Sequence, residues 1–124
     1  MQMLFQWEMS PKDPQKLAEQ FWKSAAASDA TEKFANELFL GAAREAKEID
    51  ALIERHSDNW RFDRLAAIDR AILRMAIYEL RARTAPGRAV ISEALELGKK
   101  FSSDDSAGFL NGVLDSVRKT LAKA

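Results

Sequence analysis

The sequence has no cysteine, one histidine and no long apolar run, and each of these absences excludes a class of protein. Without cysteine the chain has no disulfide, thiolate nucleophile or zinc–thiolate site. No stretch approaches the roughly 18 apolar residues of a membrane span, and residues 1–9 lack the basic start of a secretory signal. We therefore predict a cytoplasmic protein that is not bound to a membrane.

Signatures of catalysis and of cofactor binding are also missing. His56 lies beside Ser57 at the predicted end of a helix, where the helix dipole favours it and the geometry of a Ser-His-Asp triad is not expected. The sequence has no glycine-rich phosphate loop and no spacing typical of metal ligands. We predict that the protein is not an enzyme and uses no metal or cofactor.

Glycine and proline are scarce, with 5 and 3 among 124 residues, and β-branched residues are sparse. Apolar residues recur at helical spacing, so helices are expected to account for nearly the whole chain. A chain of this length has room for one domain with a real core, over residues 1–124. The sequence predicts an all-α fold, a single-domain compact bundle of about seven helices.

Breaks in the apolar pattern give the helix bounds. Asp13 is expected to cap a helix that has Pro14 at its first position, and Asp29 with Glu32 has the spacing of a capping box. The predicted helices cover 1–9, 14–27, 29–55, a short turn at Trp60 and Phe62, 66–83, 88–101 with Phe101 on its apolar face, and a last helix from about Ser106. In that last helix the apolar period continues through Gly112, which predicts a close helix contact there.

The net charge of the chain is zero, which by itself argues against a simple nucleic-acid-binding protein. The charges are unevenly distributed, since residues 1–57 carry 7 Lys or Arg and 10 Asp or Glu, whereas residues 58–124 carry 12 and 9. The second half is therefore the place to expect any RNA-binding face.

The predicted helix over residues 66–83 is apolar around most of its circumference, because only four residues between 65 and 80 are charged. Such a helix is expected in the middle of a bundle. At 100° per residue, Arg70, Arg74 and Arg81 fall within about 40° of one another and form an arginine ridge. Guanidinium groups bind phosphates and stack on bases, so this ridge is a candidate RNA site. The alternative, which the residues alone favour, is that these arginines pair with carboxylates of neighbouring helices.

Lys99 and Lys100 end one predicted helix, and Phe109 lies near the start of the next. Basic side chains beside an aromatic ring are typical of surfaces that bind unstacked single-stranded RNA. The helix start at Ser106 can also hold a phosphate, although the acidic residues before it oppose this and capping is the simpler role. Lysines at a helix C-terminus also interact with the dipole, and burial alone explains Phe109 equally well.

Three segments carry a resemblance to a known family. They are D-R-A-I-L-R-M-A-I-Y-E-L (69–80), I-S-E-A-L-E-L-G-K-K-F (91–101) and D-S-A-G-F-L-N-G-V-L-D (105–115). In this order and spacing they closely resemble the NusB family of bacterial transcription antitermination factors, and M-L-F-Q-W-E (3–8) extends the match into the N-terminal half. The resemblance implies an all-helical RNA-binding protein that recognises boxA RNA together with the ribosomal protein NusE. It also implies an antitermination complex on RNA polymerase that promotes ribosomal RNA transcription.

The resemblance also assigns roles to individual residues. It favours Arg74 as an RNA contact, matches Phe5 to an aromatic residue of the RNA face, and implies a NusE contact for Asp69. The candidate RNA-binding residues are thus Phe5, Arg70, Arg74, Lys99, Lys100, Ser106 and Phe109, and the candidate NusE contacts are Asp69 and Asp105. Core packing is the alternative for Phe5. Formation of a homodimer stays open, because members of the family differ in whether they self-associate.

The beginning of the sequence departs from the family pattern. NusB proteins normally have an arginine-rich arm before the first helix, whereas this sequence has no Lys or Arg before Lys12. Either translation starts upstream of Met1 or the protein lacks the arm, and the absence of a capping residue ahead of the first helix favours the first explanation. Without the arm we predict weak boxA binding in the absence of NusE, because each lost phosphate contact lowers the affinity.

Two other functions are compatible with such a bundle. One is a protein–protein adaptor that no longer binds RNA, which the zero net charge and the missing arm favour. The other is the related domain fused to ribosomal RNA cytosine methyltransferases, which needs a catalytic domain with a methyl-donor site and a nucleophilic cysteine. The sequence up to Ala124 has neither, so we rank this function last.

Overall fold

Seven α-helices make up most of the residues that the computed structural model describes, which are 2–9, 13–24, 29–56, 67–83, 85–102 and 104–122. They are α1 (Gln2–Met9), α2 (Pro14–Ser24), α3 (Asp29–Arg44), α4 (Ala46–Arg55), α5 (Ala67–Ala82), α6 (Gly87–Phe101) and α7 (Asp104–Ala122). The described residues contain no strand, and the predicted all-α bundle is confirmed. The short turn predicted at Trp60 and Phe62 lies outside the described residues.

The predicted helix over 29–55 is wrong in one respect, because the structure divides it into α3 and α4. Glu45 lies between them with φ −97° and ψ 13°, outside the helical region. The backbone N–H of Glu45 still donates to the carbonyl of Gly41 at 3.1 Å, so the chain bends without losing the bond. The apolar period is the same on both sides of the bend and no proline marks it. At the bend, the Glu45 carboxylate lies 3.0 Å from Nη1 of Arg81 in α5, a tertiary contact that helical spacing does not reveal.

The start of α2 follows the predicted capping pattern. Oδ1 of Asp13 accepts a hydrogen bond from the backbone N–H of Gln15 at 3.3 Å, and its carbonyl accepts one from Leu17 at 3.0 Å. Pro14 is the first residue of the helix, where its missing N–H costs nothing. Local sequence therefore sets this helix start.

Helix α5 lies at the centre of the bundle, as its apolar circumference predicts. Ala71, Ile72, Leu73, Ala76 and Ile77 have no exposed surface, and α5 packs against α1, α3, α4, α6 and α7. A helix enclosed in this way must be apolar on nearly every face, because any unpaired polar group there would lose its hydration. The few charged residues of α5 consequently need partners.

The buried side chains form two apolar cores on either side of α5. The N-terminal core consists of Met3, Leu4, Leu17, Ala18, Phe39, Ala42 and Ala71. The C-terminal core consists of Ile49, Ile53, Ile72, Leu73, Ala76, Ile77, Leu80, Val90, Ile91, Ala94, Leu110, Val113, Leu114 and Val117. Helix α5 contributes to both cores and so joins the two halves of the chain.

Gly41 and Gly98 permit close approach of neighbouring helices, and neither is the glycine that the sequence predicts for this role. A Cβ on Gly41 would overlap the ring of Tyr78, and a Cβ on Gly98 would lie 2.7 Å from Cδ1 of Leu110. The prediction for Gly112 is wrong, because this residue is exposed and a Cβ there would meet nothing within 4 Å. The apolar period through residue 112 reflects its neighbours in the helix, while Gly112 itself faces outward.

The last three helices, α5, α6 and α7, alternate in direction. Gly98 near the end of α6 meets Leu110 and Ala107 near the start of α7, whereas Gly87 at the start of α6 meets Leu80 and Arg118. Helix α6 is therefore antiparallel to both α5 and α7. No helix among the described residues is long and apolar enough to cross a membrane.

Candidate nucleic-acid interface

Three hydroxyl and carboxyl side chains tie together the start of α5, the end of α6 and the start of α7. The Ser106 hydroxyl donates to Oδ2 of Asp69 at 3.1 Å, and the hydroxyl oxygens of Ser102 and Ser106 lie 2.9 Å apart. Since Ser106 directs its proton to Asp69, Ser102 donates in the second bond. We call Asp69, Ser102 and Ser106 the serine end. It fixes three helix termini relative to one another.

Asp69 is only 6% exposed and lies in the first turn of α5, where a negative charge interacts favourably with the helix dipole. Its second oxygen, Oδ1, is buried and accepts no hydrogen bond from the part of the chain that the structure describes. Buried carboxylate oxygens nearly always have a donor, so an unsatisfied one calls for an explanation. Asp69 and Ser106, both predicted from the resemblance, are thus brought together. The side chain of Asp105 lies outside what the structure describes.

Basic side chains continue from the serine end along the end of α6. Lys99 and Lys100 are exposed in the last turn of α6, which agrees with their predicted position. Nζ of Lys100 lies 5.3 Å from the ring centroid of Phe101, within the range of a cation–π interaction. The exposed lysines and the adjacent ring therefore form one surface.

Phe101 is a residue that the sequence analysis did not assign to the interface. Its apolar character and spacing place it on the buried face of α6, but the structure leaves it 49% exposed, so that prediction is wrong. Phe101 is the last residue of the helix, where the neighbouring elements no longer cover the apolar face. The sequence feature that could have indicated its exposure is its position directly after two lysines and before a polar loop.

The two other aromatic candidates are partly buried. Phe109 packs against the C-terminal core and Phe5 against the N-terminal core. This contact supports the packing alternative for each ring, although both keep some accessible surface. Their contribution to RNA binding stays a prediction.

The arginine ridge does not form an unpaired basic surface. Nε and Nη2 of Arg74 donate to Oδ1 and Oδ2 of Asp50 at 2.9 and 2.8 Å, and Nη1 of Arg81 lies 3.0 Å from Oε1 of Glu45. The alternative of carboxylate pairing therefore holds for these two arginines. Arg70 is half-buried. An RNA contact by Arg70 or Arg74 stays a prediction, and for Arg74 the ion pair disfavours it.

Arg74 instead links three helices. It is 8% exposed, its guanidinium lies 5.3 Å from the ring centroid of Trp7 in α1, and its two-bond contact to Asp50 reaches α4. Forked hydrogen bonds to a carboxylate are strong and fix the geometry of both groups. Breaking a buried pair is costly because it leaves a charge without a partner. Arg74 thereby connects α1 and α4 to the same face of α5.

His56 has a structural position, as its place at a helix end predicts. It is the C-cap of α4, and its backbone N–H donates to the carbonyl of Leu52. Its Nδ1 lies 2.6 Å from the hydroxyl of Ser116, a contact that ties the end of α4 to α7. The tautomer decides which of the two atoms donates.

The half-buried carboxyl group of Glu79 in α5 has a perturbed pKa. Burial raises the pKa of Glu79, and the nearby carboxylate of Glu93 in α6 raises it further. Both causes disfavour the charged form, the first by removing water and the second by repulsion. Glu79 does not belong to the serine end, and its raised pKa affects the stability of the fold.

Comparisons with known proteins agree with these features. The model of the NusB family matches residues 1–119. The chain is 44% identical to the transcription antitermination protein NusB of Myxococcus xanthus (strain DK1622) over 128 aligned residues, which cover 99% of this chain and 91% of that protein. It is 43% identical to the corresponding protein of Koribacter versatilis (strain Ellin345), with 98% and 84% covered.

Solved structures have the same fold. A structure of T. maritima NusB superposes with a TM-score of 0.85 at 30% identity, covering 95% of this chain and 84% of that one. A structure of the antitermination factors NusB and NusE in complex with dsRNA matches with a TM-score of 0.80 at 31% identity, covering 95% and 89%.

Proposed function

Because this chain belongs to the NusB family, we propose that it is a transcription antitermination factor that binds boxA-type single-stranded RNA together with the ribosomal protein NusE. In this role it joins an antitermination complex on RNA polymerase in the cytoplasm and promotes ribosomal RNA transcription. The complex of a similar NusB protein with NusE and RNA supports both partners. The role is one of binding and needs no catalytic residue.

The observation that carries this proposal is the serine end with the lysines beside it. Hydrogen bonds from Ser102 to Ser106 and from Ser106 to Asp69 hold three helix termini in a fixed arrangement. Exposed Lys99 and Lys100 can neutralise phosphates there, and the exposed ring of Phe101 offers a hydrophobic surface beside them. A fixed scaffold with exposed cationic side chains suits an unpaired strand, whose bases and phosphates are both accessible.

NusE contact at the same end has a physical rationale in Asp69. Its buried Oδ1 lacks a donor among the described residues, so a donor from NusE would satisfy it. The hydrogen bond to Ser106 meanwhile keeps the start of α7 in place. NusE and RNA would then share one continuous surface, and each would bind more tightly in the presence of the other.

The experiment measures the affinity of labelled boxA RNA for the protein, with and without NusE, over a range of salt concentrations. The double substitution Lys99→Gln and Lys100→Gln should reduce the slope of log K against log salt by about 1.4, since each phosphate contact to a single strand contributes about 0.7. Lys16→Gln, which removes one exposed lysine of α2, is the matched control and should leave the slope nearly unchanged.

The adaptor hypothesis is the alternative outcome of this experiment. The ion pair of Arg74 with Asp50 favours it, because it engages a buried arginine inside the fold. The family match and the relative solved with RNA favour RNA binding. If the protein binds NusE but the pair binds boxA RNA no better than an unrelated RNA, the adaptor function replaces the one proposed here.

A further inference from the structure

The end of the bundle opposite the serine end contains a second basic feature. A cavity of about 450 Å³ lies where α5 ends, α6 begins and α7 ends. Its lining includes the guanidinium-bearing residues Arg83 and Arg118 and the apolar residues Leu80, Pro86 and Leu121. No acidic residue contributes to the lining among the described residues. The cavity is therefore positively charged.

Within the described ranges, the two arginines of this cavity have no carboxylate partner, unlike Arg74 and Arg81 of the arginine ridge. Arg83 is exposed and Arg118 is half-buried. We call Arg83 and Arg118 the arginine end. Unpaired guanidinium groups gathered at one place repel one another, and a bound anion would relieve this repulsion.

The backbone around the cavity holds both of these arginines in position. Arg83 has φ 56°, a left-handed conformation that ends α5 and turns the chain toward α6. The side chain of Arg118 crosses the start of α6, where a Cβ on Gly87 would lie 2.9 Å from its Nε. Glycine at residue 87 therefore lets the guanidinium approach the positive end of the α6 dipole, which adds to the attraction for an anion.

We propose that the arginine end binds phosphodiester groups of the same RNA strand whose boxA segment lies on the serine end. This inference rests on the function proposed above and adds a second RNA contact to it. Ser106 and Arg118 lie 12 residues apart in α7, which corresponds to about 18 Å along the helix. At about 3.4 Å per nucleotide, five or six nucleotides of a strand span that distance. Planar forked donors match phosphate oxygens, and an RNA strand that continues from the serine end presents such oxygens at every nucleotide.

The test uses two labelled RNAs in the presence of NusE, one with boxA alone and one extended by roughly eight nucleotides on each side, enough to span the distance above. The protein should bind the extended RNA more tightly. Arg83→Gln and Arg118→Gln should each reduce the slope of log K against log salt by about 0.7 for the extended RNA. The loss of affinity caused by each substitution should therefore be about fivefold larger at 0.1 M salt than at 1 M. Both substitutions should leave the affinity for the short RNA unchanged.

Lys119→Gln is the matched control, since Lys119 follows Arg118 in α7, lies outside the cavity lining and pairs with Asp115 at 3.1 Å. It should change neither affinity by more than about twofold, as expected of a weak surface pair. Arg118→Lys keeps the charge but lacks the planar fork, so it should retain the salt slope and lose less affinity than Arg118→Gln. Thermal unfolding of every variant shows whether the fold is intact. Because Arg83 is exposed and Arg118 is half-buried, Arg83→Gln is the substitution expected to disturb packing less.

Two results would overturn the inference while the proposed function stands. In the first, the protein binds both RNAs equally. In the second, the substitutions at residues 83 and 118 weaken binding of the short and extended RNAs by the same factor, which indicates a general charge effect. Absence of binding to the short RNA would instead refute the proposed function.

Discussion

Basic side chains occur in two kinds of surroundings in this protein, and the contrast shows which of them are available to a ligand. In the central helix, Arg74 pairs with Asp50 of α4 and Arg81 pairs with Glu45 at the bend. Lys99 and Lys100 at the end of α6 are exposed instead. A buried cation such as Arg74 needs a partner within the fold, whereas an exposed cation without a partner remains hydrated and can exchange water for phosphate.

The largest expected effect is on stability and concerns the buried member of this comparison. Arg74→Ala leaves Asp50 without its two hydrogen bonds and removes the cation above Trp7, so we expect the free energy of unfolding to fall by about 2–3 kcal/mol. Denaturation by urea measures it. The slope of RNA affinity against salt should stay unchanged, because the guanidinium is engaged inside the protein.

Arg88→Ala is the control for that substitution, since Arg88 is exposed in α6 and forms no ion pair within the described ranges. Its effect on unfolding should remain within about 0.5 kcal/mol. A small loss of stability in Arg74→Ala together with a salt slope reduced by about 0.7 would restore Arg74 as a phosphate contact.

A smaller effect on the free energy of unfolding is expected at the serine end. There Ser106 has a structural role, whereas the lysines beside it are exposed. Ser106→Ala removes the donor to Oδ2 of Asp69 and leaves a buried carboxylate oxygen unsatisfied. We expect a loss of about 1–2 kcal/mol in the free energy of unfolding. Ser92→Ala at an exposed position of α6 should change it by less than about 0.5 kcal/mol. Equal values for the two variants would remove Ser106 from the support of the interface.

The smallest expected effect depends on pH and concerns Glu79, an acid on the same central helix. Because the pKa of Glu79 is raised in the folded state, the folded protein binds more protons there than the unfolded chain. Its contribution to stability is therefore present below the ordinary carboxyl pKa of about 4.3 and is lost as the pH rises through the raised value. Glu79→Gln should stabilise the protein at neutral pH by up to about 0.5 kcal/mol.

At pH 4 the same substitution should have little effect, because the carboxyl group and the amide are then both uncharged. Unfolding curves of wild type and Glu79→Gln at the two pH values measure the difference. An identical shift at both values would show that packing, and not proton binding, accounts for it.

Some of the interface follows directly from the sequence. Lys99 and Lys100 end a helix, Ser106 lies near the start of the next, and Asp69 lies in the first turn of the apolar helix, as the segments predict. Phe101 could not be placed, because its helical spacing assigns it to the apolar face while its exposure depends on where the neighbouring helices end. The arginine end could not be identified either, since Arg83 and Arg118 are 35 positions apart in the chain.

The sequence by itself determined the all-α class of fold, the cap at Asp13 and the central position of α5, because these depend on periodicity and on contacts within a few residues. Only the tertiary structure decided that Arg74 holds Asp50, that the chain bends at Glu45 and that Gly41, unlike Gly112, lies against another helix. Helical spacing states which residues share a face. The identity of the neighbour on that face depends on how seven helices pack together, and that neighbour decides whether a charge is paired or available to RNA.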